Sequence, residues 1–141
     1  MQKVTTFLMF QKDAEAAATL YTSLIPNSRI VSATPASVTF ELDGQTFLAF
    51  NGGPHFTFSE GMSLFISCET QSEVDTLWEK LSAGGKQKPC GWVEDRFGVS
   101  WQIIPSALMR LTGDRDPAKA ARVTKAMLAM KKIDIVGLQK A

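Results

Sequence analysis

The sequence predicts an α+β domain in which paired βαβββ modules form a curved mixed-sheet cup, followed by a C-terminal helical extension. Three observations carry this. Two helix patterns with the same apolar spacing lie 57 residues apart, one through Ala17 and one through Val74. Each follows one short strand-like run and precedes three more. After Pro105 the strand pattern gives way to helix formers.

The first module, about residues 3–51, opens with the apolar run Thr6 to Phe10, which reads as a strand. From Asp13 to Leu24, the residues Ala17, Leu20, Tyr21 and Leu24 fall at i, i+3, i+4 and i+7, the spacing of one buried helix face, with Asp13 as the N-cap. Strands are expected over Arg29 to Ala33, Val38 to Leu42 and Thr46 to Phe50. Asp43-Gly44 joins the last two, because both residues tolerate the positive φ of a two-residue hairpin turn.

The second module, about residues 62–105, repeats the order. Ser63 to Ser67 is strand-like, and Thr70-Gln71-Ser72-Glu73 has the form of a capping box. Val74, Leu77, Trp78 and Leu81 then form an apolar helix face, and Gly84-Gly85 stops it. Further strands are expected near Gln87, over Trp92 to Asp95 and over Val99 to Ile104, with a turn at Phe97-Gly98. One helix covers only one face of a sheet, so two such sheets set edge to edge leave a concave face between covered convex ones. In the tail, residues 106–141, Asp116 is a natural N-cap with Pro117 at the first helical position, and good helix formers continue from Ala118 to Met130. A short helix is expected to start at Asp134, and the apolar Met127, Leu128 and Met130 are expected to pack on the tail's own domain.

A chain of 141 residues with 45% hydrophobic composition buries one core, so residues 1–141 read as a single domain. Lys and Arg number 15 against 14 Asp and Glu, with no long run of one sign, which argues against a nucleic-acid partner. No apolar stretch approaches a membrane span, and Met1 to Thr6 lack the layout of a secretory signal, so a cytoplasmic protein with no membrane partner is expected. Cys68 and Cys90, 21 residues apart in the intervening chain, fit neither a zinc cluster nor a disulfide framework and read as reduced thiols. Cys90 has only Lys86 and Lys88 close in sequence to activate it.

The run Trp92-Val-Glu-Asp95-Arg-Phe-Gly98-Val-Ser-Trp101-Gln102-Ile-Ile-Pro105 resembles the closing hairpin of vicinal-oxygen-chelate (glyoxalase/bleomycin-resistance) domains, where an acidic residue precedes a Gly turn and a metal-binding Glu follows that Gly by four. Asn51-Gly-Gly-Pro-His-Phe56-Thr-Phe58, the Cys90-Gly-Trp92 step, and the tail from Asp116-Pro117 through Met130-Lys-Lys-Ile-Asp134 are similar to the PhnB-like family of that superfamily. The resemblance spans nearly the whole chain and implies the paired cup and a homodimer.

Metal enzymes of the superfamily use one inward position on the first and on the last strand of each module, which here fall on Thr6, Leu48, Ser63 and Gln102. Two hydroxyls, an amide and a methyl lack the charge and donor strength to strip the hydration shell of a divalent ion. No metal and no cofactor are therefore expected. Taking those positions as inward, strand alternation lines the cup with Thr6, Leu8 and Phe10; Thr46, Leu48 and Phe50; Ser63, Phe65 and Ser67; and Ser100, Gln102 and Ile104. Phe7, Met9, Phe47, Leu64, Ile66, Cys68, Trp101 and Ile103 then pack under the helices.

The expected ligand-binding residues are Thr6, Phe10, Leu48, Phe50, Ser63, Phe65 and Gln102, with Trp92 near the mouth and His55, the only histidine, in the loop beside Phe56 and Phe58. Asn51-Gly52-Gly53 can offer backbone N–H groups there, and Asp95 and Arg96 either serve the ligand or only hold the hairpin. Such a lining suits a neutral, flat or hydrophobic small organic ligand, with self-filling of the cup by its own side chains as the alternative. The function expected is metal-independent binding of that ligand. The competing expectation is an enzyme of the superfamily: a lyase, isomerase, dioxygenase or transferase. Relatives carry a demethylubiquinone methyltransferase label, yet the Gly-rich loop and following acidic residue that usually bind S-adenosylmethionine are missing.

Overall fold

A computed structural model describes residues 2–141; Met1, the first residue of the leader reading above, lies outside the described residues. The chain divides into two compact units, residues 1–58 and 59–141.

The first unit is β1 (Thr6–Phe10), α1 (Ala14–Leu24), β2 (Arg29–Ala33), β3 (Ser37–Leu42) and β4 (Gln45–Asn51). Its sheet has the order β1-β4-β3-β2, with β1 parallel to β4 and the other pairs antiparallel. Asp43 and Gly44 both take positive φ, 49° and 79°, as a type I′ hairpin requires. The helix buries Ala14, Ala17, Ala18 and Tyr21, which keeps the expected period but turns the face away from Leu20 and Leu24, both only half-buried. Alanines at this contact let the helix lie close to the sheet. Tyr21 reaches the Phe40 ring at 6.3 Å, and Phe40 stacks on Phe47 at 5.3 Å, so the face carrying Phe40 and Phe47 is the one α1 covers.

Asp13 stands at the N-cap of α1, but its side chain makes no cap. Asn51 replaces it from the far end of β4: its Oδ1 accepts from Ala14 N at 2.9 Å, while its Nδ2 donates to Pro35 O at 3.3 Å.

The second unit repeats the topology as β5 (Leu64–Cys68), α2 (Gln71–Ser82), β6 (Lys86–Gln87), β7 (Trp92–Glu94) and β8 (Ser100–Pro105), in the sheet order β5-β8-β7-β6. Here the Thr70 half of the expected capping box forms, and the reciprocal bond falls one residue before the N-cap. Thr70 Oγ1 accepts from Glu73 N at 3.2 Å, and Glu73 Oε1 accepts from Glu69 N at 3.0 Å. Val74, Leu77, Trp78 and Leu81 are buried, as their spacing predicts.

Three helices complete this unit: α3 (Ser106–Thr112), α4 (Pro117–Leu128) and α5 (Ile135–Gln139). The expected start of α4 is present, with Asp116 Oδ1 accepting from Ala118 N at 3.0 Å. The sequence reading did not separate α3, whose N-cap, Pro105, has no polar side chain to mark it. The tail packs on its own unit, as expected, through a buried cluster of Ile104, Leu108, Val123, Ile133 and Leu138, with Met127 and Met130 against it. Leu128 stays exposed. Gln71, in the first turn of α2, pins the tail by donating to Ile133 O and accepting from Ile135 N at 2.9 and 2.8 Å.

Candidate functional site

Strand pairing decides which side chains share a face, because laterally paired residues project to the same side. In the first unit Phe7 pairs with Leu48 and Met9 with Phe50, while Thr6 pairs with Phe47 and Leu8 with Ala49. Leu48 and Phe50 therefore share the open face with Phe7 and Met9. Thr6, Leu8 and Phe10 lie on the face under α1, against the expectation that they line the cup. Exposure agrees: Phe10 is 2% exposed and meets Phe58 edge-on at 5.2 Å, whereas Phe7 is 53% exposed.

The cause is a single residue. Three residues separate β1 from α1, but two separate β5 from α2. The 57-residue offset that superposes the helices is thus one short for the first strands, where Phe7 corresponds to Phe65 through their pairings with Leu48 and Gln102. With a side-chain period of 2, that slip exchanges the two faces of β1. Thr5, not Thr6, corresponds to Ser63.

In the second unit the expected faces hold. Leu64, Ile66 and Cys68 pair with Trp101, Ile103 and Pro105 on one side, and Phe65 and Ser67 pair with Gln102 and Ile104 on the other. Trp101 is core. Across the open face, Phe65, Gln102 and Trp92 stand in one row on β5, β8 and β7. Phe65 is 51% exposed, and Trp92 and Gln102 are half-buried. Gln102 Nε2 donates to Ser63 Oγ at 2.9 Å, so these two side chains bond to each other. Ile104, expected to line the cup, is buried under the helical tail, and Ser100 is buried as well.

The charges beside this row close on themselves. Glu94 lies 3.7 Å from both Lys86 and Lys88, and Lys88 also meets Glu60 at 3.0 Å. That hydrogen bond to Glu60 is the main cause holding the Lys88 ammonium above its usual pKa.

Asp95, an open choice in the sequence, has a structural position. It is buried, and its carboxylate accepts from Phe97 N, Val99 N and Trp101 Nε1 at 2.9, 3.0 and 2.9 Å, fixing the turn between β7 and β8. The N–H groups of Asn51, Gly52 and Gly53 do not face a ligand either, since they donate to Ala36 O, Phe10 O and Gln11 O. Gly52 is confined between Met9 Sδ and the Phe56 ring, so a side chain there would collide. His55 lies on the exposed stretch that follows. Cys68 is buried, and burial, reinforced by Glu73 and then Glu69, pushes its thiol up to about 12. Among the described residues no three His, Cys, Asp or Glu side chains are grouped to hold a metal ion, and no helix is long and apolar enough to cross a membrane.

The profile of the family described as 3-demethylubiquinone-9 3-methyltransferase matches residues 2–104. The chain belongs to this family. A solved PhnB protein of Bacillus cereus bearing the same methyltransferase designation is 38% identical, covers 74% of this chain and 99% of its own, and superposes with a TM-score of 0.65. A protein of Pseudomonas aeruginosa (18% identity, 74% and 98% coverage, TM-score 0.60) and the fosfomycin resistance protein FosX of Listeria monocytogenes (14%, 72% and 89%, 0.52) share the fold. No curated protein matches the chain. The PhnB-like match ends at β8, so α3 to α5 lie beyond it.

Proposed function

We propose that this chain is a metal-independent small-molecule-binding protein of the PhnB-like family, acting as a cytoplasmic homodimer and holding an uncharged organic ligand on the sheet faces its helices leave bare. The observation that carries the reading is the Gln102 to Ser63 hydrogen bond. Where metal enzymes of the superfamily place imidazole or carboxylate, this chain has a neutral amide bonded to a neutral hydroxyl, and Leu48 at the matching position of the first unit offers no donor at all. The superfamily's metal does not fit these residues.

The proposed ligand contacts are Leu48 and Phe50 in the first unit and Ser63, Phe65, Trp92 and Gln102 in the second, with His55 on the exposed loop. Thr6 and Phe10 leave the set because they lie on the helix-covered face. Native mass spectrometry of freshly purified protein tests the proposal. It should report a dimer carrying no stoichiometric metal and, where a ligand survives purification, an organic adduct. A monomer, or one transition-metal ion per chain, would overturn it.

The family's description favours a second reading, methyl transfer. Dinucleotide-type and S-adenosylmethionine-type sites usually combine a parallel sheet with a Gly-rich loop directly after a first strand. Here β1 runs into Gln11-Lys12-Asp13, the sheet is mixed, and the Gly52 and Gly53 N–H groups are taken up by the backbone at 2.7 and 3.1 Å. Calorimetric titration with S-adenosylmethionine should give no saturable heat; a saturable isotherm would restore that activity.

A further inference from the structure

The row across the second sheet also specifies what kind of ligand it can hold. Gln102 spends one N–H on Ser63. Its Oε1 takes no protein donor, and no buried side-chain oxygen or nitrogen among the described residues lacks a partner, so this oxygen is open to an incoming group. Ser63, having accepted from Gln102, keeps its own hydroxyl proton to donate. One acceptor and two donors, counting the second N–H of Gln102, are thus held together at the middle of the row.

On either side stand Phe65 and Trp92, each one strand away from Gln102. Two strand spacings amount to about 9.6 Å. A flat ring held between two others needs roughly 7–8 Å at ordinary contact distances. One ring fits with its edge on the amide. Glu94, on the same strand as Trp92, is paired with Lys86 and Lys88, and Lys88 also with Glu60.

We infer that the open face of the second unit binds an uncharged, single-ring aromatic compound bearing a carboxamide or lactam edge, gripped by Gln102 and Ser63 and flanked by Phe65 and Trp92. This rests on the reading of the face as a metal-free ligand site and adds the ligand's chemistry. A carboxamide meets the acceptor with its N–H and the donors with its carbonyl. A carboxylate of the same shape instead brings its charge against Gln102 Oε1.

The test is a titration of the intact protein, followed by amide-resolved NMR, with nicotinamide, nicotinate and pyridine as probes. Nicotinamide should bind at least about tenfold more tightly than nicotinate or pyridine, with shifts at residues 63, 65, 92 and 102. Gln102→Met should erase the preference, Ser63→Ala should reduce it severalfold, and Trp92→Ala should weaken all three probes. Thermal melts of each variant confirm folding; should Gln102→Met not fold, Ser63→Ala and the wild-type preference decide. Equal or tighter binding of nicotinate, a preference that survives Gln102→Met, or no saturation by nicotinamide would overturn the inference. Binding of these rings without discrimination leaves the ligand-site reading intact and removes only the carboxamide class. A stoichiometric metal in the same sample removes both.

Discussion

Between β1 and α1 the chain has three residues, and between β5 and α2 it has two, although the two units otherwise follow one topology. The extra residue in the first unit sets which side of β1 meets the helix. It also separates the chemistry of the two open faces. The first unit shows Phe7, Met9, Leu48 and Phe50 beside Ser37, Thr39, Glu41 and Thr46 on the same face, while the second places an amide bonded to a hydroxyl among its aromatics. The two units share a topology, and their sheet faces differ. What distinguishes the second unit is the amide of Gln102 bonded to the Ser63 hydroxyl.

The largest expected effect tests the face assignment. Phe10→Ala should cost about 3–5 kcal/mol, as deletion of a buried aromatic does. Phe7→Ala, on the exposed face of the same strand, should stay within about 0.5 kcal/mol. Urea unfolding of both variants reads this directly, and equal losses would return Phe7 to the core. Next come the two hairpin turns. Asp95→Ala strands three donors, those of Val99 and Trp101 in buried bonds, and should cost about 3 kcal/mol. Asp43→Ala, exposed at φ 49°, should cost about 1 kcal/mol through backbone strain.

Much of this architecture was legible in the sequence. Helix periods, the Asp43-Gly44 turn and the Thr70 cap are local signals, and each element they predict formed within a residue or two of its expected place, while α3 went unannounced. What escaped depended on distance or on size. The face of β1 was read by carrying the helix offset onto the strands, and an unseen one-residue difference in loop length reversed it. The spacing of Ala17, Leu20, Tyr21 and Leu24 predicts the α1 face; Ala17 and Tyr21 are buried in it, while Ala14 and Ala18 take the places expected for Leu20 and Leu24. Asn51 caps a helix 37 residues earlier in sequence, which no local pattern announces. Of the site, Phe65 and Gln102 follow from alternation, but the place of Trp92 in their row rather than at the mouth, the bond from Gln102 to Ser63 and the burial of Ile104 under the tail needed the tertiary fold.

The two helix caps sharpen the same comparison at a smaller scale. Asn51→Ala and Thr70→Ala should each cost about 1 kcal/mol, measured by thermal or urea melts. Asn51→Ala should be the larger, because Asn51 also holds Pro35 O. Smallest is a pH effect confined to the second unit. The Cys68 thiol titrates near 12 when folded against a reference of 9.0, so above pH 9 the unfolded chain releases protons that the folded chain keeps. Its contribution to stability is complete below about pH 9 and is lost as pH rises toward 12. Urea midpoints at pH 8 and pH 10 should differ for the wild type, with part of that slope absent in Cys68→Ala; identical slopes would contradict it.

Calorimetric titration of the metal-stripped protein with Zn²⁺, Ni²⁺ and Mn²⁺ bears most directly on the absent chelate. The wild type should take up none of these ions at a stoichiometric site formed by Ser63 and Gln102. Saturable uptake of one ion per chain that is abolished by Gln102→Ala or Ser63→Ala would contradict the account.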